Sequence, residues 1–184
     1  NASVSGGSEN STFNTSLGYV RQEGIIIKSE YDKYMARINA TFKKGRFSLS
    51  EKLSITNTKK VSPPGGRTLE MPTIPVTDEH GRYVSTAASK GYSITNTNIS
   101  NPLAAIYKQD AFTRNTSATG SLAGTFKLMK GLQYKLNVAG TYVNTNTYKH
   151  VPAYDTFFNA DGTADNKLNQ TARTSLSEGR AENF

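Results

Sequence analysis

Residues 132–142 read LQYKLNVAGTY, and this stretch decides the fold because its side chains alternate between apolar and polar. In an extended strand successive side chains point to opposite faces, so Leu136 and Val138 share one face while Lys135 and Asn137 share the other. About ten residues of such alternation match one tilted crossing of a membrane by a β-strand, which takes about 9–11 residues. The stretch therefore predicts a transmembrane strand with one lipid-facing side.

The same alternation recurs elsewhere along the chain. Residues 31–60 and 112–147 each predict two strands around a short turn, at Lys44-Gly45 and at Lys130-Gly131. Arranged as a helix, residues 34–43 give no apolar stripe with a period of 3.6, which favours a strand. Further strands are predicted at 2–7, 12–20 and 173–184. The sequence therefore predicts an all-β fold of about seven antiparallel strands.

Two regions carry little strand pattern and are predicted to be long loops, residues 61–111 and 148–171. Within the first, the run from Asp78 to Gly81 predicts a hairpin turn between residues 74–77 and 82–85. Asn101 and Pro102 then suit the cap and first position of a short helix that ends at Tyr107.

Very short turns at one end and long extracellular loops at the other are typical of an outer-membrane β-barrel. The smallest such barrels need about eight strands. We therefore interpret residues 1–184 as a partial barrel domain, a wall segment of a larger barrel.

Glu51 interrupts the predicted apolar face formed by Phe47, Leu49, Leu53 and Ile55. A charged side chain on the lipid side of a barrel destabilises it, although a carboxylate costs less than Lys or Arg. We therefore expect a β-bulge at Glu51 or a register different from the one given above.

The composition fits a chain that buries little. Hydrophobic residues make up 35% of the 184 residues and the mean hydropathy is −0.55, whereas soluble domains are about 45–50% apolar. The 10 Tyr and 8 Phe argue against disorder. Cysteine is absent, which excludes disulfides and thiolate metal sites. Residues 1–184 begin with no recognisable export signal, so we expect one to be removed or to lie upstream.

The net charge of +8 raises the question of nucleic acid. The basic residues are dispersed and form no stripe, so we predict no nucleic-acid binding. A soluble β-sandwich or a secreted β-solenoid would also show alternation. Sandwich strands are typically about 5–6 residues long, and the longer strands predicted here favour the membrane barrel.

Several short stretches, in this order, resemble the early barrel of SusC/RagA-type TonB-dependent outer-membrane transporters: Ser5-Gly6-Gly7, Ser16-Leu17-Gly18-Tyr19, Gln22-Glu23-Gly24-Ile25, Arg37-Ile38-Asn39, Asn101-Pro102-Leu103-Ala104 and Lys130-Gly131-Leu132. The resemblance covers nearly the whole chain. It implies a 22-stranded barrel in the outer membrane of a Gram-negative bacterium, plugged by an N-terminal domain that is not found in these residues.

The resemblance also implies partners. Such transporters import oligosaccharides or peptides with energy delivered by TonB, and they pair with a SusD-like surface lipoprotein that closes the barrel. The TonB contact would lie in regions outside this sequence. The function implied is therefore that of a wall and extracellular-loop segment of an energy-coupled importer. Two alternatives stay open, a surface-exposed β-rich adhesin or binding module and a passive porin.

No motif with catalytic spacing is present, so we predict neither an enzyme nor a cofactor. His80 and His150 are predicted to be isolated in loops, away from metal ligands. One loop resembles part of a calcium site but lacks the terminal Glu of an EF-hand, so an ordinary polar turn is favoured over calcium; its residues are Asn159, Asp161, Gly162, Thr163 and Asp165.

Two groups of side chains are candidates for binding. Polar residues of the predicted strands could line a solute path or hydrogen-bond a plug: Arg37, Asn39, Lys52, Lys127, Lys135 and Asn137. Aromatic residues of the long loops could stack on sugar rings, anchor a protein partner or pack the loops together: Tyr83, Tyr92, Tyr107, Tyr154, Phe157 and Phe158.

Overall fold

The computed structural model describes residues 1–63, 76–78, 80–83, 101–153 and 172–183. Within them lie seven strands and one short helix: β1 (Ala2–Ser8), β2 (Ser11–Glu23), β3 (Glu30–Lys44), β4 (Phe47–Val61), α1 (Pro102–Lys108), β5 (Asp110–Met129), β6 (Leu132–Val151) and β7 (Arg173–Asn183). The predicted all-β character is confirmed. No helix in the described ranges is long and apolar enough to cross a membrane.

The strands form a single antiparallel sheet in which each strand pairs with the next in the sequence, from β1 to β7. Three two-residue turns, at 9–10, 45–46 and 130–131, lie at one end, which we call the short-turn end. Neighbouring turns are linked there, since the Lys43 amide donates to the Asn10 carbonyl over 2.7 Å. At the opposite end, which we call the long-loop end, β2, β4 and β6 finish and β3, β5 and β7 begin.

The boundaries of the two long connections differ slightly from the prediction. Asp110 and Ala111 already belong to β5, where they pair with His150 and Lys149. Residues 148–151 likewise prolong β6, because they also pair with β7. The reason is that the residues at these strand ends are held by the backbone ladders, which need no apolar alternation.

The register gives the sheet one apolar face and one polar face. Residues directly opposite each other point to the same side, so the pairings trace each face across all the strands. The apolar face carries the large apolar side chains Val4, Phe13, Leu17, Tyr19, Tyr34, Ile38, Phe42, Phe47, Leu49, Leu53, Ile55, Phe112, Leu122, Phe126, Tyr134, Leu136, Val138, Tyr142, Tyr148 and Leu176. The polar face is mainly Ser, Thr, Asn, Lys and Arg.

The bulge expected at Glu51 is not present in the described strands, and this expectation was wrong. Glu51 pairs with Ala40 on one side and Leu122 on the other, in registers that run unbroken from Phe47 to Val61. The β5 and β6 pairing shifts between Lys127 and Met129, next to the turn. Long hydrogen-bonded ladders on both sides of β4 hold Glu51 on the apolar face.

The sheet encloses almost no core of its own. Among the described residues the buried apolar side chains are Ala104 and Val151 alone, and Val151 is at the long-loop end of β6. Leu136 and Val138, in the middle of β6, are 55% and 59% exposed. Within the described part of the chain, neither face of the sheet is covered by a second layer.

The turn at Gly131 provides the first testable expectation. Gly131 has a φ of +83°, a conformation that costs other L-residues about 1–2 kcal/mol. Gly131→Ala should therefore lower the free energy of unfolding of the full chain by about that amount, as measured by urea titration in detergent micelles. Gly124→Ala is the matched control, because a Cβ at that position would meet nothing within 4 Å and its φ is not positive. Equal losses for the two variants would contradict the argument.

Candidate functional site: two faces and one end of the sheet

The apolar face has a band of aliphatic side chains between two sets of aromatic rings. At the short-turn end the rings are Phe42, Phe47, Phe126 and Tyr134. Toward the long-loop end they are Tyr19, Tyr34 and Tyr142, with the rings of Tyr19 and Tyr34 4.8 Å apart. Eight positions separate Tyr134 from Tyr142 along β6, which is about 26 Å at about 3.3 Å per residue. The band therefore has a definite width along the strands.

On β2 and β3, the apolar face becomes charged beyond the rings of Tyr19 and Tyr34. On β5 and β6 the stacked rings of Phe112 and Tyr148 lie in the same row as this charged part. Arg21 lies opposite Asp32, and its guanidinium is 3.6 Å from the Glu23 carboxylate and 3.9 Å from that of Glu30. The Tyr19 hydroxyl donates a hydrogen bond to Asp32 Oδ1 over 2.8 Å. Exposed ion pairs of this kind stabilise a fold little. They mark the position at which the apolar band ends on β2 and β3.

The polar face differs from the charged end of the apolar face, because its charged strand residues are all cations. Its strand residues include the cations Lys33, Arg37, Lys43, Lys52, Lys60, Lys127, Lys135, Lys149 and Arg173, which we call the polar-face cations. The acidic residues of the seven strands all lie on the apolar face: Glu23, Glu30, Asp32, Glu51, Asp110, Glu178 and Glu182. Across the described strands, therefore, no carboxylate side chain shares a face with the polar-face cations.

The six candidates for lining a solute path all lie on the polar face. Lys52 is directly opposite Asn39 on β3 and Ser121 on β5, and Lys135 is opposite Thr125. Five further cations share this face and were not included among the candidates: Lys33, Lys43, Lys60, Lys149 and Arg173. The signal that could have found them is their odd numbering in β3, β6 and β7 and even numbering in β4, the positions that alternate with the apolar residues.

At the long-loop end, three separate pieces of chain are tied together around α1. Asn101 caps the helix, since its Oδ1 accepts from the amides of Leu103 (3.0 Å) and Ala104 (3.3 Å). The Asn101 side chain also donates to the Val76 carbonyl over 2.9 Å. Lys28, in the connection between β2 and β3, donates to the Tyr107 carbonyl over 2.8 Å. The predicted helix is confirmed, with its end one residue later.

The predicted hairpin turn after Thr77 is confirmed at its tip. Thr77 pairs with Tyr83 in an isolated antiparallel bridge, and Asp78 Oδ1 accepts from the amides of His80 and Arg82, each over 2.9 Å. Partial burial by itself raises the pKa of Asp78, but these bonds and the Arg82 guanidinium, 2.7 Å away, outweigh it and lower the pKa. The carboxylate therefore stays ionised at neutral pH and closes the tip.

Two of the six loop aromatics fall in the described residues, and they contact each other. The rings of Tyr83 and Tyr107 lie 6.5 Å apart at 17°. This geometry fits loop packing, one of the roles considered for the group. The other four, and the weak calcium candidates, lie outside the described residues: Tyr92, Tyr154, Phe157, Phe158, Asn159, Asp161 and Asp165.

The residues Ile25, Ile26 and Ile27 form an apolar tip at the long-loop end that sequence reasoning did not single out. Ile25 is fully exposed. Three consecutive Ile residues between the charged ends of β2 and β3 were the available signal.

One histidine lies in a different setting from the one predicted. His150 belongs to β6 and not to a loop, and its Nδ1 is 2.8 Å from the Thr174 hydroxyl on β7. His80 is at the hairpin tip, as predicted. Across the described ranges, no group of three or more His, Cys, Asp or Glu side chains is placed to hold a metal ion.

No protein-family model matches this chain, and no curated protein matches it. The SusC/RagA resemblance therefore rests on the short stretches of sequence given above, and we treat membership of that family as a proposal.

Proposed function

We propose that this chain forms part of the wall and extracellular loops of an outer-membrane β-barrel in a Gram-negative bacterium. The observation that carries the proposal is the exposed apolar face, on which the aliphatic band has aromatic rings at each of its two ends. Barrels of this kind present to lipid an apolar band about 25 Å tall between two aromatic girdles. The short-turn end would face the periplasm and the long-loop end the cell exterior.

The strand lengths, and the two uncovered faces of the sheet within the described residues, support a barrel over a soluble sandwich. β5 and β6 each contain 20 residues, whereas soluble strands are typically about 5–6 residues long. In water, an apolar surface of this extent would need a partner layer. Against lipid it needs none, and the polar face would then line a water-filled interior.

Within that barrel, the proposed activity is energy-coupled import of oligosaccharides or peptides, as in SusC/RagA-type transporters. The residues that resemble this family fall on β1 to β3, at the start of α1 and at the turn after β5. A SusD-like lipoprotein would close the long-loop end, and TonB would act through regions outside these residues. The chain would supply wall and loops and would make or break no covalent bond.

Paired cysteine substitutions test the barrel. The sequence contains no native Cys, so Leu136→Cys and Asn137→Cys can be compared in the full chain assembled in outer membranes. A membrane-impermeant maleimide should react with Asn137→Cys, which faces the watery interior, and not with Leu136→Cys, which faces lipid. Denaturing each sample before labelling controls for thiol reactivity. Equal labelling of both positions in the folded protein would contradict the proposal.

A second measurement separates an importer from a passive porin. Uptake of a labelled oligosaccharide by cells that express the full-length protein containing residues 1–184 should stop when TonB is removed. The reason is that import through a plugged barrel needs energy from the inner membrane. Uptake that continues without TonB would identify a porin. Membrane assembly with no uptake at all would favour the adhesin or binding-module alternative.

A further inference from the structure

We infer that the polar face binds oligosaccharides that carry carboxylate groups, such as short chains of uronic acid. This inference rests on the proposed barrel and names the substrate class of its interior. The partition of charge between the two faces is the observation behind it.

Because of this partition, the charged residues on the polar face of the described strands are all positive. Acidic residues are present in the strands, but the described register places each of them on the apolar face. The cations of the polar face are therefore not neutralised by carboxylates beside or between them. A surface that carries one sign of charge raises the local concentration of ligands of the opposite sign.

The polar-face cations are available to a ligand. Arg37 and Lys52 are exposed, and so are the others except Lys33, which is half-buried. Within the described part of the chain, the ion pairs involve Arg21 and Arg82 and none of the polar-face cations. Among the described residues, no carboxylate would have to be displaced when an anion binds to these cations.

The distribution of the cations along the strands fits an extended ligand. Lys43, Lys127 and Lys135 lie near the short-turn end, Arg37 and Lys52 in the middle, and the rest toward the long-loop end. Lys52 and Lys60, eight positions apart on one strand, are separated by about 26 Å. A single small anion would need one cluster, whereas a chain with repeated charges can use cations at every height.

The neutral residues between the cations favour a glycan over an acidic peptide. On β4 the polar face reads Ser48, Ser50, Lys52, Ser54, Thr56 and Thr58. Hydroxyl groups both donate and accept hydrogen bonds, which matches the many hydroxyls of a sugar chain. The combination of free cations with rows of hydroxyls selects carboxylate-bearing oligosaccharides.

The test is equilibrium binding to the full-length protein purified in detergent, with tetragalacturonate as probe and maltotetraose as the neutral probe of equal length. We expect tetragalacturonate to bind at least about tenfold more tightly at low salt and to lose most of that advantage at about 1 M salt, because the Debye length falls to about 3 Å. Charge reversal of Arg37 and Lys52 (R37E/K52E) should weaken its binding at least about tenfold.

The matched control is Lys44→Glu with Arg114→Glu, which changes the net charge equally but on the apolar face. It should leave tetragalacturonate binding unchanged. If R37E/K52E does not fold, Arg37→Gln with Lys52→Gln replaces it with the same expectation.

Four results would overturn the inference. Equal binding of the two sugars would show that the charge is not used, and equal weakening by the control would show a non-specific effect. Tighter binding of tetraglutamate than of tetragalacturonate would identify acidic peptides as the ligand. If R37E/K52E bound tetragalacturonate normally but no longer held an acidic plug domain in the lumen, the polar-face cations would be assigned to binding the plug. Each of these can occur in a protein that passes the cysteine-labelling test, so the inference can fail while the proposed barrel stands.

Discussion

Replacing Leu136 and Val138 together by Arg should stop the full chain from assembling in the outer membrane. Both residues lie within the apolar band of β6, between the rings of Tyr134 and Tyr142. An Arg at the midplane of a barrel's lipid face costs about 2–4 kcal/mol, so two of them cost about 4–8 kcal/mol. This is comparable with the lower part of the range of free energies of unfolding of typical proteins, about 5–15 kcal/mol. Heat-modifiable migration on a gel, together with protease resistance of extracted membranes, measures assembly.

The matched control for this variant is Asn137→Arg with Ala139→Arg. These residues alternate with Leu136 and Val138 and lie on the polar face, where the neighbouring Lys135 is already cationic. The control should assemble in normal amounts. Normal assembly of the Leu136 and Val138 variant would show that this face does not contact lipid and would remove the main support for the barrel. Failure of both variants would show that β6 tolerates no added charge on either face.

Much of the sheet could be predicted from the sequence because long parts of β2 to β6 alternate between apolar and polar residues. A period of two runs from Leu132 to Tyr142 in β6, and Gly131 after Lys130 marks the turn before this strand. The ends of the strands were less predictable. Residues 148–151 show no apolar alternation, yet they continue β6 because backbone pairing with β7 extends the ladder.

The contacts that depend on distant parts of the chain could not be predicted in this way. The Asn101 cap was visible in the sequence, but its second bond, to the Val76 carbonyl, joins residues 25 positions apart. The contact between Lys28 and Tyr107 spans 79 positions. No local pattern encodes either one, because each contact joins residues that are far apart in the sequence.

The charge partition shows the same limit in another form. Alternation within each strand identified candidates such as Arg37 and Lys52. Only the register across all seven strands shows that the cations of one face are never joined by a carboxylate. A shift of one residue between two strands would have exchanged the faces, so the partition depends on the pairing as much as on the sequence.

Among the residues of the described strands, Glu51 is the charged residue that lies near the middle of the apolar face. Removing its charge should stabilise the protein. Glu51 is exposed, and its direct neighbours across the sheet are Ala40 and Leu122. In the proposed barrel this places a carboxyl group against lipid. Glu51→Leu should raise the free energy of unfolding by about 1–2 kcal/mol, since carboxylates cost less than the 2–4 kcal/mol of Lys or Arg.

Urea unfolding of the full chain folded into lipid vesicles measures this change, and Ser50→Leu is its control. Ser50 is the preceding residue on the polar face, opposite Thr41 and Ala123, so a Leu there would gain no lipid contact and should not stabilise. If Glu51→Leu destabilises the protein while Ser50→Leu does not, Glu51 has a polar partner on the outer surface. Since the described strands place no cation opposite Glu51, that partner would come from another part of the assembled protein, and the band around Glu51 would be an interface between polypeptides and not a lipid contact.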